Sequence, residues 1–234
     1  MRPAEVTAPA TPDDHSKICT FCDELAGNSS AFVDRGLATG RTDYVLWEND
    51  DFAIVPCLGA LADWYVLLLP KRHLLSFAYL SPQERANART AIKEATRKLR
   101  TVSGDNVVVF EHGSFDFRNR GGSCQDHAHL HLVATPRPSA GLVDLVEGLV
   151  KFASTEDWLE DAANLVHDRR TSYLALDDGQ GALIAEATGA PSQFFRRAMC
   201  TWLGADSGDW DWLVFPQEER LARMLGKHAE FETA

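Results

Sequence analysis

The segment His127-Ala128-His129-Leu130-His131-Leu132-Val133 limits what this chain can be more than any other. Strict alternation of this kind predicts a strand over 127–133, in which the three imidazoles share one face while Ala128, Leu130 and Leu132 enter the core. Packing alone has no use for three polar rings on one face of a buried strand, because each then needs a partner. Imidazole chemistry leaves two readings: the three form a metal triad, or one is a nucleophile supported by its neighbours.

The surrounding elements read as a mixed α+β chain. Residues 44–48 and 52–55 suggest a hairpin around Asn49-Asp50-Asp51, and residues 64–69, apolar on both faces and ended by Pro70, suggest a central strand. Ser81-Pro82-Gln83-Glu84 carries a capping box with proline at the first helical position, so a helix should run from there to about Arg100. Residues 106–110 read as a second buried strand, followed by Glu111 and His112, read as solvated loop residues with facing the site as the alternative, and by a polar, glycine-rich loop over 113–123. Leu142, Val143, Leu145, Val146, Leu149, Val150 and Phe152 recur at helical spacing and predict an amphipathic helix packed back on the sheet. A hairpin over 173–176 and 182–185, a helix capped by Ser192 and running to about Leu203, and a last helix over 216–227 complete the reading. Trp202, Trp210 and Trp212 read as core or interface residues.

Composition bounds the function. The 234 residues suit one large domain with an appendage, and 45% apolar with 24% charged residues excludes disordered and fibrous classes. A formal charge of -11 argues against nonspecific binding to long nucleic acid or to an anionic membrane. Any anionic ligand therefore has to meet a local positive cluster. Five cysteines, an odd number, point to individual thiols or metal ligands in a reducing, cytoplasmic compartment. Residues 1–16, rich in Ala, Pro and Thr, read as a disordered tail. The longest apolar run, near Tyr65 to Leu69, is far too short to span a bilayer.

Cys19 and Cys22 have the spacing that lets two thiolates reach one zinc ion, but they supply only half a tetrahedral site; a redox pair is the alternative. At this point the chain resembles the histidine triad (HIT) superfamily of nucleotide hydrolases and transferases. The resemblance rests on the triad segment with the preceding Gly121-Gly122-Ser123-Cys124, on Val66-Leu67-Leu68-Leu69-Pro70-Lys71-Arg72-His73, and on Cys19-Thr20-Phe21-Cys22. It covers about residues 19–138. It implies a HIT-like antiparallel sheet of about five strands with a long helix, and a structural zinc ion held by Cys19, Cys22, His73 and His127. It implies His129 as the nucleophile that forms a nucleotidyl-histidine intermediate, with His131 against the phosphate. Backbone N–H groups of the loop, and Ser123, Cys124 or Gln125, would bind the substrate.

The chain also departs from that pattern. Where the family carries an Asp or Asn for the ribose hydroxyls, the nearest residues are Pro56-Cys57, and Trp64-Tyr65 stand in place of Gly-His. The C-terminal part weakly resembles the extension of CwfJ-type proteins, and Arg196 and Arg197 near a helix start suit phosphate binding. Lys71 and Arg72 are further candidates for that cluster. The expected organisation is a tail over 1–16, a HIT-like catalytic domain over 17–138 and an α+β extension over 139–234 packed on it. The expected activity is cleavage of a nucleoside monophosphate unit from dinucleoside polyphosphates, phosphoramidates or related conjugates. The alternatives are a nucleotidyltransferase or phosphorylase and an inactive nucleotide-binding scaffold. The expected partner is a small nucleotide, in a homodimer or a pseudo-dimeric monomer.

Overall fold

A computed structural model describes residues 16–118, 123 and 125–234. The tail expected over 1–16 lies outside the described residues except for Ser16, which begins a short 3-10 turn, Ser16–Ile18. Eight strands follow: β1 (Trp47–Glu48), β2 (Phe52–Pro56), β3 (Trp64–Pro70), β4 (Asn106–Gly113), β5 (Leu130–Thr135), β6 (Ala153–Thr155), β7 (Tyr173–Asp177) and β8 (Ala182–Glu186). Nine helices accompany them among the described residues: α1 (Thr20–Ala26), α2 (Ala31–Asp34), α3 (Arg41–Tyr44), α4 (Pro82–Ser103), α5 (Ala140–Glu147), α6 (Trp158–His167), α7 (Phe194–Leu203), α8 (Glu218–Leu225) and α9 (His228–Thr233).

The α+β class expected from the sequence holds, but the sheet is larger than the expected five strands. All eight strands form one antiparallel sheet in the order β1-β2-β3-β5-β4-β7-β8-β6. The C-terminal hairpin joins the free edge of β4 through the register Gly113↔Tyr173 to Val109↔Asp177. That junction explains why residue 113 is glycine. A Cβ there would lie 2.0 Å from Cε1 of Tyr173, so any side chain would expel the tyrosine ring from the seam.

Helix α4 covers the middle of the sheet. The capping box is present in full, with Ser81 Oγ accepting from Glu84 N and Glu84 Oε2 accepting from Ser81 N. The helix continues past Arg100 to Ser103 and ends at Gly104 in the left-handed conformation. Its buried face carries Ala88, Ala91, Ala95 and Leu99, and the three alanines let the helix pack closely on β5 and its neighbours.

Several element boundaries differ from the sequence expectation. Tyr44 ends α3 rather than starting a strand, because its hydroxyl is drawn to Glu24 O at 2.7 Å. The amphipathic helix stops at Glu147; the chain then turns into β6, which pairs with β8, and Leu149 is left exposed. Helix α6 is an element that the residue pattern had not disclosed. Ser192 does not cap α7: Gln193 occupies the cap position with φ 58°, and the Phe195 N–H is met by His112 Nε2 at 2.9 Å. The last helix divides into α8 and α9 at Gly226 and Lys227.

Glu111 and His112 are not solvated loop residues. Strand β4 runs on to Gly113 and buries both. Glu111 accepts from Phe77 N at 2.9 Å and from the Tyr173 hydroxyl, and burial raises its pKa to about 8. With the folded pKa above the unfolded one, the stabilisation is complete at low pH and is lost as pH rises towards 8. Glu111→Gln, which keeps an acceptor for Phe77 and places a donor towards Tyr173, should therefore reduce the slope of stability against pH by about 1.4 kcal/mol per pH unit across the window from roughly 5 to 8. Denaturant titrations at a series of pH values would measure this, and an unchanged slope would show that Glu111 ionises normally.

Candidate active and metal site

The triad segment is only partly a strand. The ladder between β3 and β5 ends at Leu68↔Leu130, and the chain leaves it before His129 because Ala128 N donates instead to Leu74 O at 2.6 Å. The three imidazoles therefore do not share one environment. His127 turns towards the N-terminal cysteines, whereas His129 and His131 line a cavity.

Cys19, Cys22, His73 and His127 come together with all four ligand atoms within 4.8 Å of one another. Tetrahedral coordination by thiolates and imidazoles needs sulfur–nitrogen edges of about 3.5 Å. The observed edges are 3.3 Å for Cys19 Sγ to His127 Nδ1, 3.4 Å for Cys22 Sγ to His73 Nδ1 and 3.5 Å for Cys22 Sγ to His127 Nδ1. His127 Nε2–H donates to Pro70 O at 2.8 Å, which fixes the tautomer and aims the Nδ1 lone pair at the sulfurs. Cys19 also caps α1, and its thiol is lowered to about 2, chiefly by the hydrogen bond with Cys22, with further help from His127 and His73. These four residues are placed to hold a metal ion. A metal ion held by all four would have a complete tetrahedral shell.

His129 is buried, and its Nδ1–H donates to the carbonyl of His127 at 2.7 Å. The lone pair is thereby assigned to Nε2. Burial lowers the pKa of His129 to about 4 and that of His131 well below the usual imidazole value, so both rings are neutral near pH 7. His131 is hydrogen-bonded through Nδ1 to the Tyr65 hydroxyl at 2.8 Å and stacks on Phe110 at 4.5 Å, an interplanar angle of 11° holding it flat. The two rings lie 4.9 Å apart. His112, its pKa lowered to about 3 by burial, sits edge-on to His131 while capping α7.

The cavity in front of them has a volume of about 150 Å³ and is lined by Thr20, Phe21, Glu24, Ala31, Phe32, Pro56, Cys57, Leu58, Leu67, Gln125, His129, His131, Arg196 and Trp212. Of the loop residues considered from sequence, Gln125 faces the cavity and accepts from Thr20 Oγ1 at 3.3 Å, whereas Ser123 turns back to donate to Gln125 O at 2.9 Å. Cys124, Gly121 and Gly122 lie outside the described residues.

The two arginines separate. Arg196 is 2% exposed, lines the cavity, and donates to Trp210 O, Gly59 O and Cys57 Sγ at 2.9, 2.8 and 3.6 Å, with its guanidinium 5.6 Å from the Tyr65 ring centroid. Arg197 faces away, stacked on Trp210 at 3.3 Å and bonded to Ser192 O. Lys71 and Arg72 are also elsewhere, paired with Glu48 and Glu84. Trp212, read from sequence as a core or interface residue, is a wall of the cavity. It reaches that position over Gly59, whose φ of 72° and lack of a Cβ admit the Trp212 backbone; a Cβ would lie 2.6 Å from that of Trp212.

With the site's geometry in view, residues 39–137 match the family model described as the HIT domain. Over those residues the chain is similar to the HIT domain. A relative, galactose-1-phosphate uridylyltransferase from Hypocrea jecorina, is 37% identical over 62 residues, 26% of this chain and 16% of its own length, so the chain spans only a small part of that protein. A Zn-bound histidine triad family protein from Mycobacterium smegmatis is 20% identical in sequence, with a TM-score of 0.37 over 51% of this chain and 76% of that one. Yeast Ap4A phosphorylase in complex with Ap4A is 12% identical, with a TM-score of 0.37 over 73% of this chain and 74% of that one. The HIT match includes His73, His127, His129 and His131 but neither cysteine of the metal cluster and none of the C-terminal residues in the cavity wall.

Glu24, Phe21 and Trp212 are site residues that sequence reasoning did not mark. Glu24 has no neighbour in sequence with related chemistry, and Trp212 is distant from every motif. Only Phe21 had a signal, its position between the two cysteines.

Proposed function

We propose that this protein transfers a nucleoside monophosphate unit through a covalent intermediate on His129, with water as the most direct acceptor. The observation that carries the proposal is the His129 arrangement: a buried neutral imidazole, oriented through Nδ1 by the His127 carbonyl, whose Nε2 faces the cavity. In the first step Nε2 attacks the phosphorus beside the nucleoside, and the bond to the leaving group breaks with its electron pair departing. The His127 carbonyl stabilises the positive charge that the ring then carries. In the second step the acceptor attacks phosphorus and loses its proton to solvent, while the P–Nε2 bond breaks and its electron pair returns to Nε2. His131, Gln125 and the guanidinium of Arg196 face the phosphoryl oxygens. Of these groups only Arg196 carries a charge, so in a chain of formal charge -11 the positive potential for the phosphate is confined to one guanidinium supported by neutral donors.

The metal cluster is read as a structural zinc site. Four protein donors close its coordination sphere, so its contribution is to pin α1, and with it Thr20, Phe21 and Glu24, against the cavity. Thiolate ligands fit a reducing, cytoplasmic setting. Among the described residues no helix is long and apolar enough to cross a membrane.

A second reading, a nucleotidyltransferase or phosphorylase, is favoured by Arg196 and Trp212, which bring the C-terminal part into the same cavity. Within this proposal residues 17–138 form the catalytic unit, and 139–234 act as the second half of a pseudo-dimeric monomer, using the β4 edge through β7. Incubation with nucleotide conjugates in the presence of inorganic phosphate decides between the acceptors. Hydrolysis gives the nucleoside monophosphate alone, whereas a phosphorylase gives the diphosphate; neither product from any conjugate would reject both readings.

A further inference from the structure

We infer that Glu24 is a specificity-determining residue, accepting hydrogen bonds from the hydroxyl groups of a ribose whose phosphate lies against His129. The inference rests on the nucleotide reading above and adds to it which part of the ligand this side chain meets.

Glu24 is 7% exposed and is the only carboxylate among the described residues lining the cavity. Its Oε1 accepts from Ala31 N at 3.2 Å, and no other hydrogen bond reaches the carboxyl group among the described residues. Its second oxygen is thus open to accept from a ligand in the cavity, where a hydrogen bond shielded from bulk water adds to binding. A phosphate ionised near neutral pH has few protons to donate, whereas sugar hydroxyls always carry one.

Position narrows the choice further. Glu24 lies one helical turn beyond Phe21, about 5–6 Å along the same face. The Phe21 ring in turn is 5.6 Å from that of His129. A group that touches Glu24 is thus about one sugar away from a phosphorus held at His129 Nε2. Phe32, Pro56 and Leu58 add apolar walls to the same cavity, which suit the flat face of a base.

The test compares binding of AMP and UMP with that of their 2′-deoxy and 3′-deoxy forms, by calorimetry on the full chain. Glu24→Gln is the chosen variant because its amide oxygen can still accept from Ala31 N, which keeps the link between α1 and α2. The wild-type protein should bind the ribonucleotides about tenfold more tightly than the deoxy forms, the range expected for one buried hydrogen bond. In Glu24→Gln the ratio should fall to about threefold or less, through weaker binding of the ribonucleotides alone. An identical ratio in the two proteins, or a loss that follows the base and not the sugar, would overturn the assignment. Absence of binding by any of these nucleotides to the wild-type protein would overturn the nucleotide reading itself, a result distinct from the loss of sugar discrimination alone.

Discussion

Replacing His129 by alanine is expected to lower turnover of nucleotide conjugates by at least about a thousandfold, with the fold and metal content unchanged. The size of the effect follows from the lack of a substitute. His127 has Nε2 on Pro70 O and Nδ1 towards the cysteines, and His112 has Nε2 occupied by the Phe195 N–H. His131 lines the cavity, but its ring is fixed by Tyr65 and Phe110 beside the expected phosphate rather than behind it. The segment itself should survive the substitution, because Ala128 N stays bonded to Leu74 O and Leu130 stays paired with Leu68. Steady-state rates with matched thermal melting curves would measure the effect. A variant that turns over within tenfold of the wild type would place the nucleophile elsewhere.

Loss of the metal ligands should have the second large effect, and it should begin at α1. Cys19→Ser, or chelation of the wild-type protein, removes the tie between α1 and the His73 and His127 loops. The eight-stranded sheet keeps its own packing, so only part of the stability is at stake; a loss of a few kcal/mol corresponds to about 5–10 °C in Tm for a chain of this size. Amide exchange should quicken first in residues 19–26, while the β3, β4 and β5 amides stay protected. Substrate affinity should fall with it, since Thr20, Phe21 and Glu24 occupy the same helix as the two cysteines. Elemental analysis gives an independent reading: about one zinc per wild-type chain and none in Cys19→Ser. Full zinc occupancy in the variant would reject the site.

The part of the site that was legible in sequence is the part whose chemistry restricts residue type. Two cysteines three positions apart and three alternating histidines are rare enough to be found by inspection, and the structure brings Cys19, Cys22, His73 and His127 together. The same inspection misjudged the backbone at His127, because alternation describes side-chain types and cannot see that Leu74 O competes for the Ala128 amide. Arg196 and Arg197 were indistinguishable as neighbours at a helix start; a rotation of about 100° around α7 sends one into the cavity and the other onto Trp210.

The larger sheet was hidden for a related reason. Residues 173–176 read correctly as a strand, but a strand's own pattern does not name its neighbour, and the decisive clue was a lone glycine at residue 113 that admits the Tyr173 ring. Glu24 and Trp212 had no local signal at all. Their place in the cavity depends on long-range contacts: Tyr44 and Ala31 for the first, Gly59 for the second.

The most direct test of the central claim is to trap the intermediate. Rapid acid- or cold-quenched mixtures of the wild-type protein with labelled nucleotide conjugates, digested and read by mass spectrometry under conditions that preserve phosphoramidate bonds, should show one nucleoside monophosphate adduct on the peptide containing His129. The adduct should be absent from His129→Ala. Turnover without any such adduct, or an adduct located on another residue, would contradict the account.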